Sequence, residues 1–109
     1  MEFSQVVELV FNEYIKNGYL GKWQSAQDIL GTKDGAIVDI AELGLVATEL
    51  SEAMEDVRKG NAKHLGEELA DIIIRVLNFA SRKEIDLEEE ILKKHTVNME
   101  REYLHGKEI

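Results

Sequence analysis

Glu49 and Glu52 stand three residues apart, and Glu68 and Asp71 repeat that spacing farther along the chain. On a helix, residues three apart are surface neighbours, so each pair presents two carboxylates side by side. Fifteen residues separate Glu52 from Glu68, with Gly60 near the middle. A tight turn at Gly60 folds the two segments into an antiparallel hairpin, and residues about eight on either side of the turn then meet. Four carboxylates held together at neutral pH repel strongly, and a divalent cation is the natural neutraliser. An all-oxygen ligand set suits magnesium, which keeps several waters and bridges carboxylates to phosphate oxygens, with manganese as a substitute. The expected chemistry is therefore that of phosphates, although E-x-x-E by itself is also a common pattern on solvated helix faces. A di-iron carboxylate bundle needs E-x-x-H on two helices, and Glu102-x-x-His105 is the one such pair here.

A second constellation is basic. Lys94, Asn98, Arg101 and His105 follow at spacings of four, three and four, which places them on one helix face. Such a ridge can neutralise phosphate oxygens, with arginine engaging them in a fork; the alternative is a solvated face that pairs with the acidic hairpin. Arg75 and Asn78 share the face of Glu68 and Asp71, so they either orient the carboxylates or contact a substrate, and a simple Asp71–Arg75 ion pair is the plainer reading. Trp23, the one tryptophan, stacks on a base or plugs its segment onto the core. His64 reads as a surface or capping residue and His95 as a packed one.

The elements that must position these groups are helical. Phe3, Val6, Val7, Val10, Phe11 and Tyr14 recur at three- and four-residue steps, which predicts a helix ending near Asn17-Gly18. A second helix is expected from about Asp39 to Lys59, with Ile40, Leu43, Val46, Ala47, Leu50, Ala53, Met54 and Val57 on one stripe and Gly60-Asn61 as its stop. A third spans about Ala62 to Arg82, where Leu65, Leu69, Ile72, Ile73, Val76, Leu77, Phe79 and Ala80 make a face wide enough for several partners. Ile72-Ile73-Ile74 favours a strand locally, but it lies inside a long helical period. Asp86 is the expected N-cap of a fourth helix, with Glu88, Glu89 and Glu90 near the positive end of its dipole. Residues 18–37, with four glycines, read as a long connection holding a short helical turn around Ser25 to Leu30.

At 109 residues the chain fits one domain, 1–109, small enough to leave much apolar surface near water, so an oligomer is expected. The absence of cysteine excludes disulfides, thiolate zinc sites and cysteine nucleophiles, and the chain suits a reducing cytoplasm. No apolar run approaches a membrane span, and the N-terminus lacks a basic region followed by an apolar stretch, so a cytoplasmic protein without membrane association is expected. A net charge of −9, from 22 acidic against 13 basic residues, disfavours nucleic-acid backbones. The acids concentrate between Glu42 and Glu90, while Lys93, Lys94, Arg101, His105 and Lys107 fall in the last seventeen residues.

Three stretches resemble a known family. Thr48-Glu49-Leu50-Ser51-Glu52 through Gly60, then Gly66-Glu67-Glu68-Leu69-Ala70-Asp71-Ile72 through Asn78, then Asp86 with Asn98-x-x-Arg101 and His105-Gly106-Lys107 are similar to the MazG-like nucleotide pyrophosphohydrolases of the all-α NTP pyrophosphatase superfamily. Ala70 stands where many relatives have glycine. The resemblance implies an all-α bundle of four to five helices around a central antiparallel hairpin, assembled as a homodimer or homotetramer. It implies magnesium held by Glu49, Glu52, Glu68 and Asp71. The implied reaction is hydrolysis of an NTP or dNTP between the α and β phosphates to monophosphate and pyrophosphate. Lys94, Asn98, Arg101 and, less directly, Lys107 carry over as phosphate contacts. Glu49 is the expected glutamate that orients the attacking water. Two alternatives stay open: an enzyme like phosphoribosyl-ATP pyrophosphohydrolase, and a non-catalytic helical module that binds a nucleotide or partner.

Overall fold

The computed structural model describes residues 1–30 and 35–101. Over these residues the chain forms five helices and no strand: α1 (Phe3–Lys16), α2 (Tyr19–Leu30), α3 (Gly35–Arg58), α4 (Leu65–Arg82) and α5 (Leu87–Met99). The all-α expectation holds, and Ile72-Ile73-Ile74 lies within α4. Among the described residues no helix is long and apolar enough to cross a membrane. His105 and Lys107 lie outside the described residues.

The helix ends follow from local chemistry. At the start of α1 the Glu2 N–H donates to Gln5 Oε1 at 2.6 Å, which occupies one of the donors a helix start leaves unpaired. Gly18, at φ +86°, ends α1 and immediately starts α2, its carbonyl accepting from the Lys22 N–H at 3.0 Å. Gly60, at φ +74°, closes α3, and the Asn61 N–H reaches back to the Asp56 carbonyl at 2.8 Å. The same reach-back ends α4, from the Ile85 N–H to the Ala80 carbonyl at 2.8 Å, but there the left-handed position is filled by Glu84 at φ +58°. The Asp86 carboxylate accepts from the Glu89 N–H at 3.1 Å, so the expected N-cap of the last helix is in place.

One expectation is corrected. Residues 19–30 are not a loop with a short turn; they form the twelve-residue helix α2, and Trp23 is buried on it. Leu20, Trp23 and Ala26 recur at helical spacing and seat α2 on a cluster of Tyr14, Trp23 and Val38, with Phe11 packed alongside. Gly21 needs no special backbone, and a Cβ there would meet nothing within 4 Å.

Of the apolar stripe foreseen on α3, Ala53 is buried and Val46 half-buried, while the rest faces outward in a single chain: Ile40 is 67% exposed, Met54 65% and Val57 51%. Val38, Glu42 and Ala53 are the buried residues of this helix. α3 therefore carries two non-polar faces, and its own chain covers the one that also bears carboxylates. His95, expected to be packed, is exposed, as is every residue of α5 except the half-buried Leu87.

α3 packs along α4, and α1 packs on α4. Side chains pair in opposite order along α3 and α4: Arg82 with Asp39 and Glu42, Arg75 with Glu49, and Glu68 near Asp56. The Arg82 side chain is 6% exposed and donates from Nε to Glu42 Oε1 at 2.8 Å and from Nη2 to Asp39 Oδ1 at 2.6 Å. Tyr14 donates to the other Glu42 oxygen at 2.5 Å, so α1 joins the same network. The Arg82 guanidinium also lies 5.4 Å from the centre of the Phe79 ring. Lys83 pairs with Asp39 at 2.7 Å. Partial desolvation works against the Asp39 carboxylate, but Lys83 and Arg82 outweigh it and hold its pKa below the usual value. Removing one partner of a buried ion pair leaves the other charge uncompensated. Arg82→Ala is therefore expected to cost about 3–5 kcal/mol in urea unfolding, and Lys83→Ala, at the exposed edge, less than about 1 kcal/mol.

Candidate active site

Each of the first four helices contributes one stripe to a shared cavity of about 570 Å³, within the roughly 300–1,000 Å³ typical of small-molecule sites. From α3 come Glu42, Leu45 and Glu49, and from α4 Asp71, Ile74, Arg75 and Asn78. From α1 come Val10, Glu13 and Tyr14, with Asn17 at its C-cap, and from α2 Tyr19, Lys22 and Trp23. All four sets recur at three- and four-residue steps, so the cavity is the meeting of four helix faces.

The four motif carboxylates are brought together two by two. Glu49 and Asp71 both line the cavity. Glu49 accepts from Arg75 Nε at 2.8 Å, so Arg75 reaches across to α3 and the plainer Asp71–Arg75 pairing is replaced. The other Glu49 oxygen, Oε2, is buried without a hydrogen-bond partner. One helical turn away, Glu68 lies among Asp56 and Glu52. Desolvation, a hydrogen bond with Asp56, and the charges of Asp56 and Glu52 raise the Glu68 pKa above its ordinary value, with His64 partly offsetting them. His64 itself stands at the N-cap position of α4 and pairs with Glu67 at 3.3 Å. Among the described residues, no three His, Asp or Glu side chains are gathered closely enough to hold a metal ion as they stand. The donor chemistry nevertheless fits a hard cation: every candidate ligand is a carboxylate, one oxygen is buried and unsatisfied, and one acid is pressed toward its neutral form.

Of the residues foreseen as substrate contacts, Arg75, Asn78 and Trp23 meet at this cavity. Lys94, Asn98 and Arg101 are exposed, and none of them lines it. Lys94 and Asn98 stand on α5, which buries no residue, whereas Arg101 follows the end of α5 at Met99, so the single helix face foreseen for all three stops short of Arg101. Tyr14, Asn17, Lys22 and Glu42 line the cavity without having been foreseen. Glu42 had a signal in the sequence: with Val38, Leu45 and Glu49 it marks a second stripe on α3, an acid set between apolar residues. Lys22 Nζ lies 5.0 Å from the centre of the Trp23 ring, which brings one cation to the aromatic wall.

An acid whose pKa is raised by folding weakens the fold as pH rises through that raised value, and a bound cation offsets the loss. Magnesium is therefore expected to raise Tm at neutral pH and to lose this effect near the ordinary carboxylate pKa, where Glu68 is protonated. Glu68→Gln should raise the metal-free Tm at neutral pH and reduce the response to magnesium. Thermal melts across pH, with and without magnesium, check both.

Comparison with known families gives one match: residues 41–101, more than half of the chain, fit the model of the MazG nucleotide pyrophosphohydrolase domain. Neither a curated protein nor a solved structure matched the chain. The matched segment runs from α3 to the end of α5 and includes all four motif carboxylates, while α1 and α2, which supply the aromatic wall, lie outside it.

Proposed function

The chain belongs to the MazG nucleotide pyrophosphohydrolase family, and on that premise we propose that it hydrolyses a nucleoside triphosphate, ribo or deoxy, between the α and β phosphates. The observation that carries the reading is the position of Glu49 and Asp71 in the wall of a nucleotide-sized cavity, with one Glu49 oxygen buried and unsatisfied. Glu49, Glu52, Glu68 and Asp71 would hold magnesium, and side-chain rotation would bring the two pairs together. When bound, magnesium supplies charge neutralisation for the phosphates and acidifies water. In this reading the pairing of α3 with α4 would fix the backbone spacing of the ligands.

The rest of the reaction falls to this chain's own groups. Glu49 accepts a proton from the attacking water and holds it in line with the α phosphorus. Arg75, which pairs with Glu49 in the cavity wall, would shift from carboxylate to phosphate as substrate enters and offset the developing charge. Lys94 and Asn98 on α5, with Arg101 and Lys107 farther along the sequence, would offset charge on the leaving pyrophosphate. That role requires α5 to come to the cavity, either by moving or from a second copy of the chain.

A second copy also explains the outward stripe of α3. Ile40, Leu43, Ala47, Leu50, Met54 and Val57 are exposed at alternating three- and four-residue steps, with Leu69 and Ile73 on α4 exposed as well. A patch of this kind is where helices of another subunit pack. A homodimer or homotetramer would bury it. The absence of cysteine suits a reducing compartment, which in this reading is the cytoplasm.

Two experiments test these readings. With magnesium and a triphosphate, chromatography should find monophosphate and pyrophosphate. Glu52→Ala and Asp71→Ala should each lower the rate at least about a hundredfold while circular dichroism stays helical. Diphosphate and phosphate as products, or undiminished turnover in either variant, would remove the assignment. In sedimentation, Leu50→Glu with Met54→Glu should convert the oligomer to a monomer of lower Tm.

A further inference from the structure

The two ends of the cavity differ in chemistry. Glu49 and Asp71 mark one end. Glu42 on α3 and Asn78 on α4 each lie seven residues away from them, two helical turns or about 10 Å, and the opposite order of pairing along α3 and α4 displaces both in the same direction. A triphosphate held at the carboxylate end therefore points its sugar and base toward Glu42 and Asn78.

That second end is built for an aromatic ring with a polar edge. Tyr14 stacks on Tyr19, with centroids 5.8 Å apart, and Trp23 belongs to the same buried cluster as Tyr14. Asn78 is 6% exposed, lines the cavity, and leaves its Oδ1 buried without a hydrogen-bond partner. A buried amide oxygen that no protein group satisfies is costly to keep and calls for a partner from outside the chain. The neighbouring polar groups set which partner. Tyr14 spends its one proton on Glu42 and is itself hydrogen-bonded by Arg82, so it has no donor left for a ligand. The Glu42 carboxylate is acceptor-only and is already neutralised by Arg82. The unpartnered atom at this end is the Asn78 acceptor, and neither Tyr14 nor Glu42 has a donor to spare, which favours a ligand that brings a hydrogen-bond donor and disfavours a carbonyl oxygen.

We propose that Asn78 is the residue that sets base specificity, and that the cavity selects a nucleobase carrying an exocyclic amine beside a ring nitrogen, as in cytosine or adenine, over its keto counterpart. The Asn78 amide pairs with both atoms at once, accepting from the amine and donating to the ring nitrogen, while the aromatic wall takes the ring face. The keto counterpart carries the exchanged pattern, C=O in place of the amine and N–H at the ring nitrogen, so in the same pose it sets acceptor against acceptor and donor against donor and pairs only if the Asn78 amide turns over. This inference rests on the pyrophosphohydrolase reading for the orientation of the substrate. Its residues lie apart from the metal-ligating motif.

The test uses pairs that differ at the position in question, CTP against UTP and ATP against ITP, with magnesium and the intact chain. The amine-bearing member of each pair is expected to have the higher kcat/KM, by about tenfold or more. Asn78→Leu should reduce that ratio to within about threefold and should raise the Tm of the ligand-free protein, because an unsatisfied buried amide is exchanged for a side chain of similar volume. Asn78→Asp, which keeps the shape and loses the donor, should also shrink the ratio. Equal kcat/KM within both pairs, or a ratio unchanged in Asn78→Asp, overturns the proposal. So does a lower Tm in Asn78→Leu, which would make the amide structural. If no triphosphate is hydrolysed, the pyrophosphohydrolase reading falls separately, and calorimetric Kd values for the same pairs still decide the base preference.

Discussion

Burying the carboxylate of Glu42 in the middle of a small helical protein is costly unless its charge is met, and Arg82 meets it from the facing helix. Because Arg82 also takes Asp39 and lies over Phe79, its guanidinium has few free directions left. Tyr14 closes the remaining side of Glu42. Burial and the bond to Glu42 both oppose ionisation of the phenol and push its pKa up, so the donor stays a donor across the pH range of a living cell. One buried ion pair thereby fixes α1, α3 and α4 to one another at a single level of the molecule. The cavity begins at that level and runs toward Glu49 and Asp71, so the geometry of the carboxylates depends on a contact two turns away from them.

The second constraint is that α3 has no fully polar face. One side carries Val38, Glu42, Glu49 and Ala53 toward its own chain, and the other carries Ile40, Leu43, Leu50, Met54 and Val57 outward. Such a helix has little amphipathic character of its own and is held by what packs on both sides. Substitutions are therefore read twice on α3, once for the cavity and once for the outer face.

Much of this was legible from residue order. The start of α1, the stop at Gly60 and the Asp86 cap are local events, and local chemistry determines them. Membership in the family followed from acids and small residues at fixed offsets. α2 was missed because Gly18, Gly21 and the glycines after Leu30 outweigh a short apolar period at Leu20, Trp23 and Ala26. Periodicity also located the outer stripe of α3 without saying whose surface would cover it. The network of Tyr14, Glu42 and Arg82 spans 28 and 40 residues of sequence, and no spacing rule reaches that far. Asn78 was found as a member of the α4 face, but its lack of a partner is visible only once its neighbours are placed.

α5 stands apart from these constraints. It is launched from a corner where Glu84 sits in a backbone region that side chains with a Cβ rarely occupy, it is capped by Asp86, and it buries nothing. A helix of thirteen residues on these terms is close to the length at which an isolated helix is marginal in water. Whatever surface finally receives α5 must supply the free energy of holding it still. Contacts made through such a helix are weaker than their number suggests and are quickly released, a property that favours turnover over tight retention of a product.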